Sequence, residues 1–471
     1  MWNAINEIGG RRIVNRITIL AVLLVFAGFT TPAYTGASEE VPAAGKRATD
    51  AESTLNAASA GAAAGNMVNM ERKRMGSIKD VEHVVVYKDS GLAHACNQVS
   101  IVLLQNGELF LGFNEERYPI HADSGQSCFI KSTDGGKTWD ASTKRVIWPY
   151  TESQGNWDCA FAQIADGTIL MHTRVCNFLA PRGINSEGDQ ALGMPPPGMP
   201  ERLKRQTGYA LLKSGNNGVT WTSPIEVNAS PIASSSLSPY ACGGSGAGHI
   251  IQLPDGGLLM PLGGTLSSAS EPGTGSETDR CFLLRSDDGG NNWEYWSTVA
   301  YDSASIISFS EPGMARLKDG KLVCLMRTHH KPNRQDNLWF TWSNDDGVTW
   351  SSPKRTSLWG YPADVMQLRD GRVLAVYGYR KAPYGVRGCI SEDGLTWDVS
   401  NEFVIREGGI AKPATASGIN PLINSLNMMQ YWHIGYPSVT QLDDGTVVVA
   451  YHEYSDEAQP IQYLMFTRFK L

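Results

Sequence analysis

Little in this chain is charged. Asp, Glu, Lys and Arg make up 18% of 471 residues, and 47 acids against 40 bases leave a net charge of −7. A protein that lives on nucleic-acid phosphates needs a basic surplus, so that class is excluded. Cysteine is sparse as well. The eight thiols (Cys96, Cys128, Cys159, Cys176, Cys242, Cys281, Cys324 and Cys389) form no Cys-x-x-Cys pair and no zinc spacing. Cys324, within Leu322-Val323-Cys324-Leu325, reads as a small buried apolar residue. No Walker or dinucleotide fingerprint occurs, and no contiguous carboxylate loop argues for calcium, so no cofactor is expected. The apolar run Ile17–Phe29 has 13 residues, too few for the ~20 of a membrane-crossing helix.

That run does fit a signal peptide over residues 1–37. Arg11, Arg12 and Arg16 precede it as a basic region, and Thr35-Gly36-Ala37 offers small residues for cleavage. Cleavage would remove three Arg and one Glu, moving the net charge from −7 to −9. Export to the periplasm, cell surface or medium is therefore expected, with no membrane span retained, and it would let the cysteines oxidise. Residues 38–76 are rich in Ala, Gly and Ser without apolar periodicity, and read as a linker.

Glycine and tryptophan are abundant, at 49 and 13 residues, and 42% apolar content can supply a sizeable core. Both residues mark repeats. An Asp-Gly or Asn-Gly turn between apolar runs ends at Gly107, Gly167, Gly256, Gly320, Gly371 and Gly445. Such dipeptides between strand-like runs signal hairpins, because both residues tolerate positive φ. A second repeat, Ser-x-Asp-x-Gly-x-x-Trp, occurs at Ser132–Trp139, Ser286–Trp293 and Ser343–Trp350. Ser214–Trp221 has Asn216 in the Asp place, and Ser391–Trp397 is one residue short. The two repeats alternate, so each unit holds an inner hairpin and an outer hairpin: four antiparallel strands, a propeller blade. The chain is expected to be all-β, one six-bladed β-propeller over residues 77–471. The sixth blade lacks its own Ser/Asp/Trp turn, and the Ile461–Leu471 run with the His83–Tyr87 strand could complete it. The insertion Cys176–Gln206, with Met194-Pro195-Pro196-Pro197, is expected to be a loop over one face.

The repeats superpose the inner hairpins. Nine residues before each turn glycine lie Gln98, Asp158, Ala247, Glu311, Pro362 (after Tyr361) and Tyr436. Seven residues after it lie Asn114, Arg174, Gly263, Arg327, Gly378 and His452. These positions share the open end of each hairpin, so six blades bring them to one funnel mouth. Carboxylates, arginines, a histidine and tyrosines collected there suit cleavage of an anionic sugar. Arginine forks grip a carboxylate bidentately, and a neutral tyrosine primed by a glutamate avoids the repulsion a carboxylate nucleophile would meet.

The Ser/Asp/Trp turns resemble the Asp boxes, or BNR repeats, of the sialidase (neuraminidase) superfamily, whose members are six-bladed propellers; glycoside hydrolase family 33 is the group implied. Glu311-Pro-Gly-Met-Ala-Arg-Leu-Lys-Asp-Gly320, running on to Arg327, resembles the sialidase segment in which a Glu precedes a carboxylate-binding Arg. Gly435-Tyr436-Pro-Ser-Val-Thr-Gln-Leu-Asp-Asp-Gly445, running on to Tyr451 and Glu453, resembles the blade carrying the tyrosine nucleophile. The C-terminus, Ile461 to Leu471, is also similar. The resemblance implies a third arginine before the last Asp box, either Arg380 or Arg387, and an acid/base Asp before the first, where Asp123 stands. It departs at blade 1: an Arg-Ile-Pro motif is replaced by Asn97-Gln98-Val99. Arg174 could then supply the missing guanidinium, and Asp158 could pair with Arg174 or bond a sugar hydroxyl. The expected partner is an acidic glycan. Alternatives are a lyase or glycosidase on uronic-acid glycans with His452 or His121 as base, and a non-catalytic glycan-binding propeller.

Overall fold

The structure, a computed structural model, describes residues 78–88, 96–116, 125–151, 154–181, 203–227, 232–233, 248–266, 278–330, 334–381, 383–408, 435–454 and 462–471. The expected signal peptide and linker, His121, Asp123, Ala247 and the centre of the Cys176–Gln206 insertion lie outside them.

The described residues form six antiparallel sheets arranged as blades. Blade 1 runs Cys96–Leu103, Leu109–Glu115, Gln126–Ser132 and Arg145–Trp148. Blade 4 runs Ile307–Arg316, Leu322–His330, Trp339–Ser343 and Lys354–Arg355. Blade 5 runs Ala363–Gln367, Val373–Tyr379, Gly385–Ser391 and Glu402–Glu407. In blade 6, Gly435–Gln441, Val447–Tyr454 and Gln462–Lys470 are completed by the N-terminal strand Lys79–Tyr87, which closes the ring as expected. In blade 2 the flanks of the insertion are themselves strand: Ile169–Pro181 pairs with Leu203–Ser214, lengthening that hairpin.

Six apolar clusters fill the gaps between neighbouring blades. That between blades 5 and 6, for example, joins Leu374, Val376 and Phe403 to Val447, Val449 and Phe469. Inner strands are buried on both faces, so Val447-Val448-Val449-Ala450-Tyr451 is one unbroken buried run.

The inner turns differ from expectation in one respect. At all six the glycine N–H donates to the Leu or Ile carbonyl three residues back, 2.9–3.0 Å away, and the glycine φ is positive. The Asn or Asp before it keeps negative φ. Its side chain instead accepts from the backbone N–H two residues on, as Asp319 does from Lys321 (3.0 Å) and Asp444 from Thr446 (2.8 Å). These are three-residue turns stapled by an Asx bond, with only the glycine left-handed.

The Ser/Asp/Trp turns link third and fourth strands at the rim. In each the Ser hydroxyl accepts from the turn glycine at 2.9 Å. The Asp or Asn carboxyl or amide oxygen accepts the N–H of the residue before Trp.

Candidate active site

Glu311 and Tyr436, at the first-strand position superposed from sequence, both have left-handed backbone, as do Gln98 and Asp158: φ is 53° at Gln98, 57° at Asp158, 50° at Glu311 and 43° at Tyr436. Each lies in a bulge where the ladder skips, between Asn97 and Ser100, Trp157 and Ala160, Ser310 and Gly313, and Gly435 and Ser438. A bulge re-aims a side chain that the pleat would otherwise send into the blade interface. A non-glycine residue held there costs ~1–3 kcal/mol, and such strain gathers at functional sites. Close backbone contact holds the bulges. A Cβ on Gly313 would lie 2.1 Å from the Ala363 carbonyl oxygen, and one on Gly435, itself at φ 100°, would lie 2.6 Å from Gly378 Cα.

Glu311 and Tyr436, 125 residues apart in sequence, meet at the mouth. The Tyr436 hydroxyl donates to Glu311 Oε1 at 2.7 Å, and Arg327 Nη1 donates to the same oxygen at 2.8 Å. Glu311 Oε2 is buried without a hydrogen-bond partner. Arg327 Nη2 lies 3.1 Å from His329 Nε2. The guanidinium of Arg327 lies 4.3 Å from the Tyr361 ring centroid. Arg380 lies 4.7 Å from the same ring and 5.2 Å from that of Tyr436. His452 stacks on Tyr436 at 5.7 Å and 22°. Asp158 faces Arg174 across 3.6 Å, and its charge reaches Tyr436.

Protonation follows from this packing. Burial works to raise the Glu311 pKa, but Arg327, the Tyr436 hydrogen bond and Arg380 outweigh it, leaving the carboxyl below its usual range. Burial, reinforced by the Glu311 charge, pushes the Tyr436 phenol above its usual value despite both arginines. At neutral pH the pair is therefore a carboxylate accepting from a neutral phenol. Burial and then the Arg327 charge lower His329 to about 4. His329 is thus neutral, and its Nε2 accepts from Arg327.

The structure brings Asp158, Arg174, Glu311, Arg327, Arg380, Tyr436 and His452 to this mouth. Gln98 occupies the matching bulge of blade 1, buried, with Oε1 unpartnered. Arg387 stands apart, on the third strand of blade 5, over Tyr379 at 4.7 Å and donating to the Pro383 carbonyl at 3.2 Å. Of the two candidate third arginines, Arg380 is the one beside Tyr436. His329 was missed. Its signal was available, since His329 and Arg380 both stand nine residues after their turn glycines, one pleat above the positions compared. Cys324 is free and buried as expected, and so are Cys128, Cys159, Cys281 and Cys389; Cys96 is buried as well. Among the described residues no group of three or more His, Cys, Asp or Glu is arranged to hold a metal ion.

Comparison with known proteins agrees with the propeller fold. The family described as BNR repeat-like domain matches residues 197–449, more than half of the chain. The chain belongs to that family. No curated protein matches it. Among solved structures, a protein of unknown function from Dyadobacter fermentans is 24% identical with TM-score 0.63, covering 83% of this chain and 99% of that one. The NanB sialidase from Streptococcus pneumoniae is 14% identical with TM-score 0.53, covering 82% and 70%. An α-L-arabinanase from Penicillium chrysogenum, complexed with arabinobiose, is 13% identical with TM-score 0.51, covering 82% and 97%. The neighbours thus support a glycosidase-type propeller fold, and a sialidase and an arabinanase share it, so the fold alone does not name the substrate.

Proposed function

We propose that this BNR-repeat protein is an exported glycoside hydrolase of the sialidase type, removing a terminal acidic sugar from glycans. The observation that carries the reading is the shared oxygen of Glu311, which receives both the Tyr436 phenol and Arg327. In the first step the Tyr436 oxygen attacks the anomeric carbon while its proton passes to Glu311. The glycosidic C–O bond breaks, and the leaving oxygen takes a proton from an acid, the role the family resemblance gives Asp123. Water then attacks the anomeric carbon, returns a proton through the same acid/base residue, and frees the phenol, which regains its proton from Glu311.

Arg327 and Arg380 flank the place where a sugar carboxylate would bind. They also explain the resting state: two cations hold Glu311 ionised but make it a weak base. A bound substrate carboxylate would neutralise part of that field and raise the basicity of Glu311 as the phenol must lose its proton. The paired Asp158–Arg174 and the uncharged Gln98 leave two guanidiniums for the clamp rather than three. Simple sialosides are therefore expected to bind weakly, by roughly 10- to 100-fold, if each charge-assisted bond is worth ~1.5–3 kcal/mol.

The test is a panel of fluorogenic acidic glycosides and acidic oligosaccharides on wild type and Tyr436→Phe. Turnover of one panel member, lost in the variant with binding retained, supports the enzyme. Binding without turnover in the wild type would instead make the chain a glycan-binding propeller.

A further inference from the structure

Arg387, the arginine outside the clamp, belongs to a second feature. Starting at Arg327, the Tyr361 ring lies 4.3 Å from the guanidinium. Trp359 meets Tyr361 edge to face at 5.5 Å, and Tyr379 meets Trp359 edge to face at 5.5 Å. Arg387 closes the series at 4.7 Å from Tyr379. Lys381 caps the Trp359 ring at 4.0 Å. Three aromatic rings and alternating cations thus run outward from the clamp along blade 5. Tyr361 and Arg387 are buried, Trp359 and Tyr379 are half-buried, and Lys381 is exposed, so the series reaches the surface at its middle, beside Lys381.

Packing alone does not account for Arg387. The residue is only 3% exposed, yet its Nε and Nη1 have no hydrogen-bond partner, and its nearest carboxylate, Glu407, is 4.0 Å away and half exposed to water. Buried arginine donors left open are costly unless a ligand or a bound water satisfies them. Half-buried Trp and Tyr rings offer apolar faces to a sugar ring, and guanidinium forks match a planar carboxylate.

We propose that this aromatic–cation series is a binding subsite for a second carboxylated sugar unit, so that the preferred ligand is an acidic oligosaccharide rather than an isolated terminal sugar. The inference rests on the glycosidase reading for the direction of the chain, but its binding does not need turnover. Trp359 and Tyr379 supply the platform, Lys381 swings off the Trp359 ring to the incoming anion, and Arg387 takes the carboxylate.

The experiment is calorimetric titration of Tyr436→Phe protein with tetragalacturonate and with α2,8-linked tetrasialic acid. The matching monosaccharides and an uncharged tetrasaccharide serve as comparisons. One acidic tetramer is expected to bind about tenfold or more tighter than its monomer, the worth of one charge-assisted contact. Trp359→Ala and the exposed, fold-safe Lys381→Glu should each erase that chain-length gain. The proposal is overturned by no gain with length, by a gain that survives both substitutions, or by an equal gain for the uncharged tetramer. A sulfated tetrasaccharide binding as tightly as the carboxylated ones would overturn the carboxylate assignment. If the gain vanishes in the variants while wild type turns over nothing, the subsite stands and the hydrolase reading fails.

Discussion

The rim and the mouth of this propeller are built from equally regular repeats, yet they treat regularity in opposite ways. At the rim, five turns spend the same Ser and Asp or Asn atoms on the same backbone donors, at nearly the same distances. At the mouth, one backbone device, a left-handed bulge, recurs in four blades and presents four different side chains: Gln98, Asp158, Glu311 and Tyr436. Where every blade needs the same mechanical job, the residues agree. Where the blades surround one mouth from different sides, the backbone agrees and the side chains diverge. Two Tyr-Pro pairs sharpen the point. Tyr436-Pro437 takes the bulge and aims its hydroxyl at Glu311, whereas Tyr361-Pro362 is cis and lies between two guanidiniums. The same dipeptide does two jobs because its neighbours differ.

The contrast predicts that mouth substitutions act on turnover and rim substitutions on stability. Tyr436→Phe removes only the phenolic oxygen, the nucleophile of the proposed mechanism. It should cut kcat by about 10^4-fold while ligand affinity shifts little, and a variant retaining a tenth of wild-type turnover would refute the tyrosine mechanism. Glu311→Gln keeps the shape but not the charge that accepts the phenol proton in the proposed mechanism, so a loss of about 10^2- to 10^4-fold in kcat is expected, read by the same assay. Arg380→Met keeps apolar contact with Tyr361 and deletes one charge-assisted grip. An increase in KM of roughly 10- to 100-fold should follow, and an effect confined to kcat would count against a clamp.

Rim variants should behave otherwise. Asp345 accepts from Thr349 N at 2.9 Å, Thr349 Oγ1 at 2.6 Å and Ser343 Oγ at 2.7 Å. Asp345→Ala should lower stability by about 1–2 kcal/mol, a Tm drop of about 2–4 °C, with KM untouched. A change in KM without a change in Tm would erase the distinction between the two regions.

Much of this was legible because a repeat converts sequence offset into spatial position. Counting nine back from a turn glycine found Glu311 and Tyr436 as neighbours although no local signal links them. What escaped depends on contacts between blades. The choice between Arg380 and Arg387 turns on which strand each occupies, and spacing from the Asp box is blind to strand order. The neutral state of His329 depends on Arg327 and burial, which no spacing encodes. The inner turns were read as hairpins correctly but for an incomplete reason, since the Asp acts as an acceptor rather than a left-handed residue.

The smallest predicted effect lies between the two regions, in the central channel, seven residues before the turn glycines. There His249 Nδ1 lies 2.7 Å from the Phe161 carbonyl, while Nε2 lies 3.3 Å from Asp364 Oδ2 and 3.1 Å from Ser438 Oγ. Serine, histidine and aspartate are all present, but Ser438 and Asp364 meet the same imidazole nitrogen, so no proton relay runs from one to the other. The group is a tie between blades 2, 3, 5 and 6. A carbonyl has no proton to give, so Nδ1 must donate, and a bond from Nε2 to Asp364 then requires the imidazolium. Burial works to lower the His249 pKa, but the Asp364 charge and hydrogen bond, with Phe161, raise it above its ordinary 6.5. A folded pKa above the unfolded one means stabilisation that is complete below pH 6.5 and fades as pH climbs through the folded value. Between pH 6 and pH 9 wild type should lose about 1–3 °C of Tm more than His249→Gln does. Parallel melting curves for the two proteins across that range would show that the tie carries no proton-linked stability.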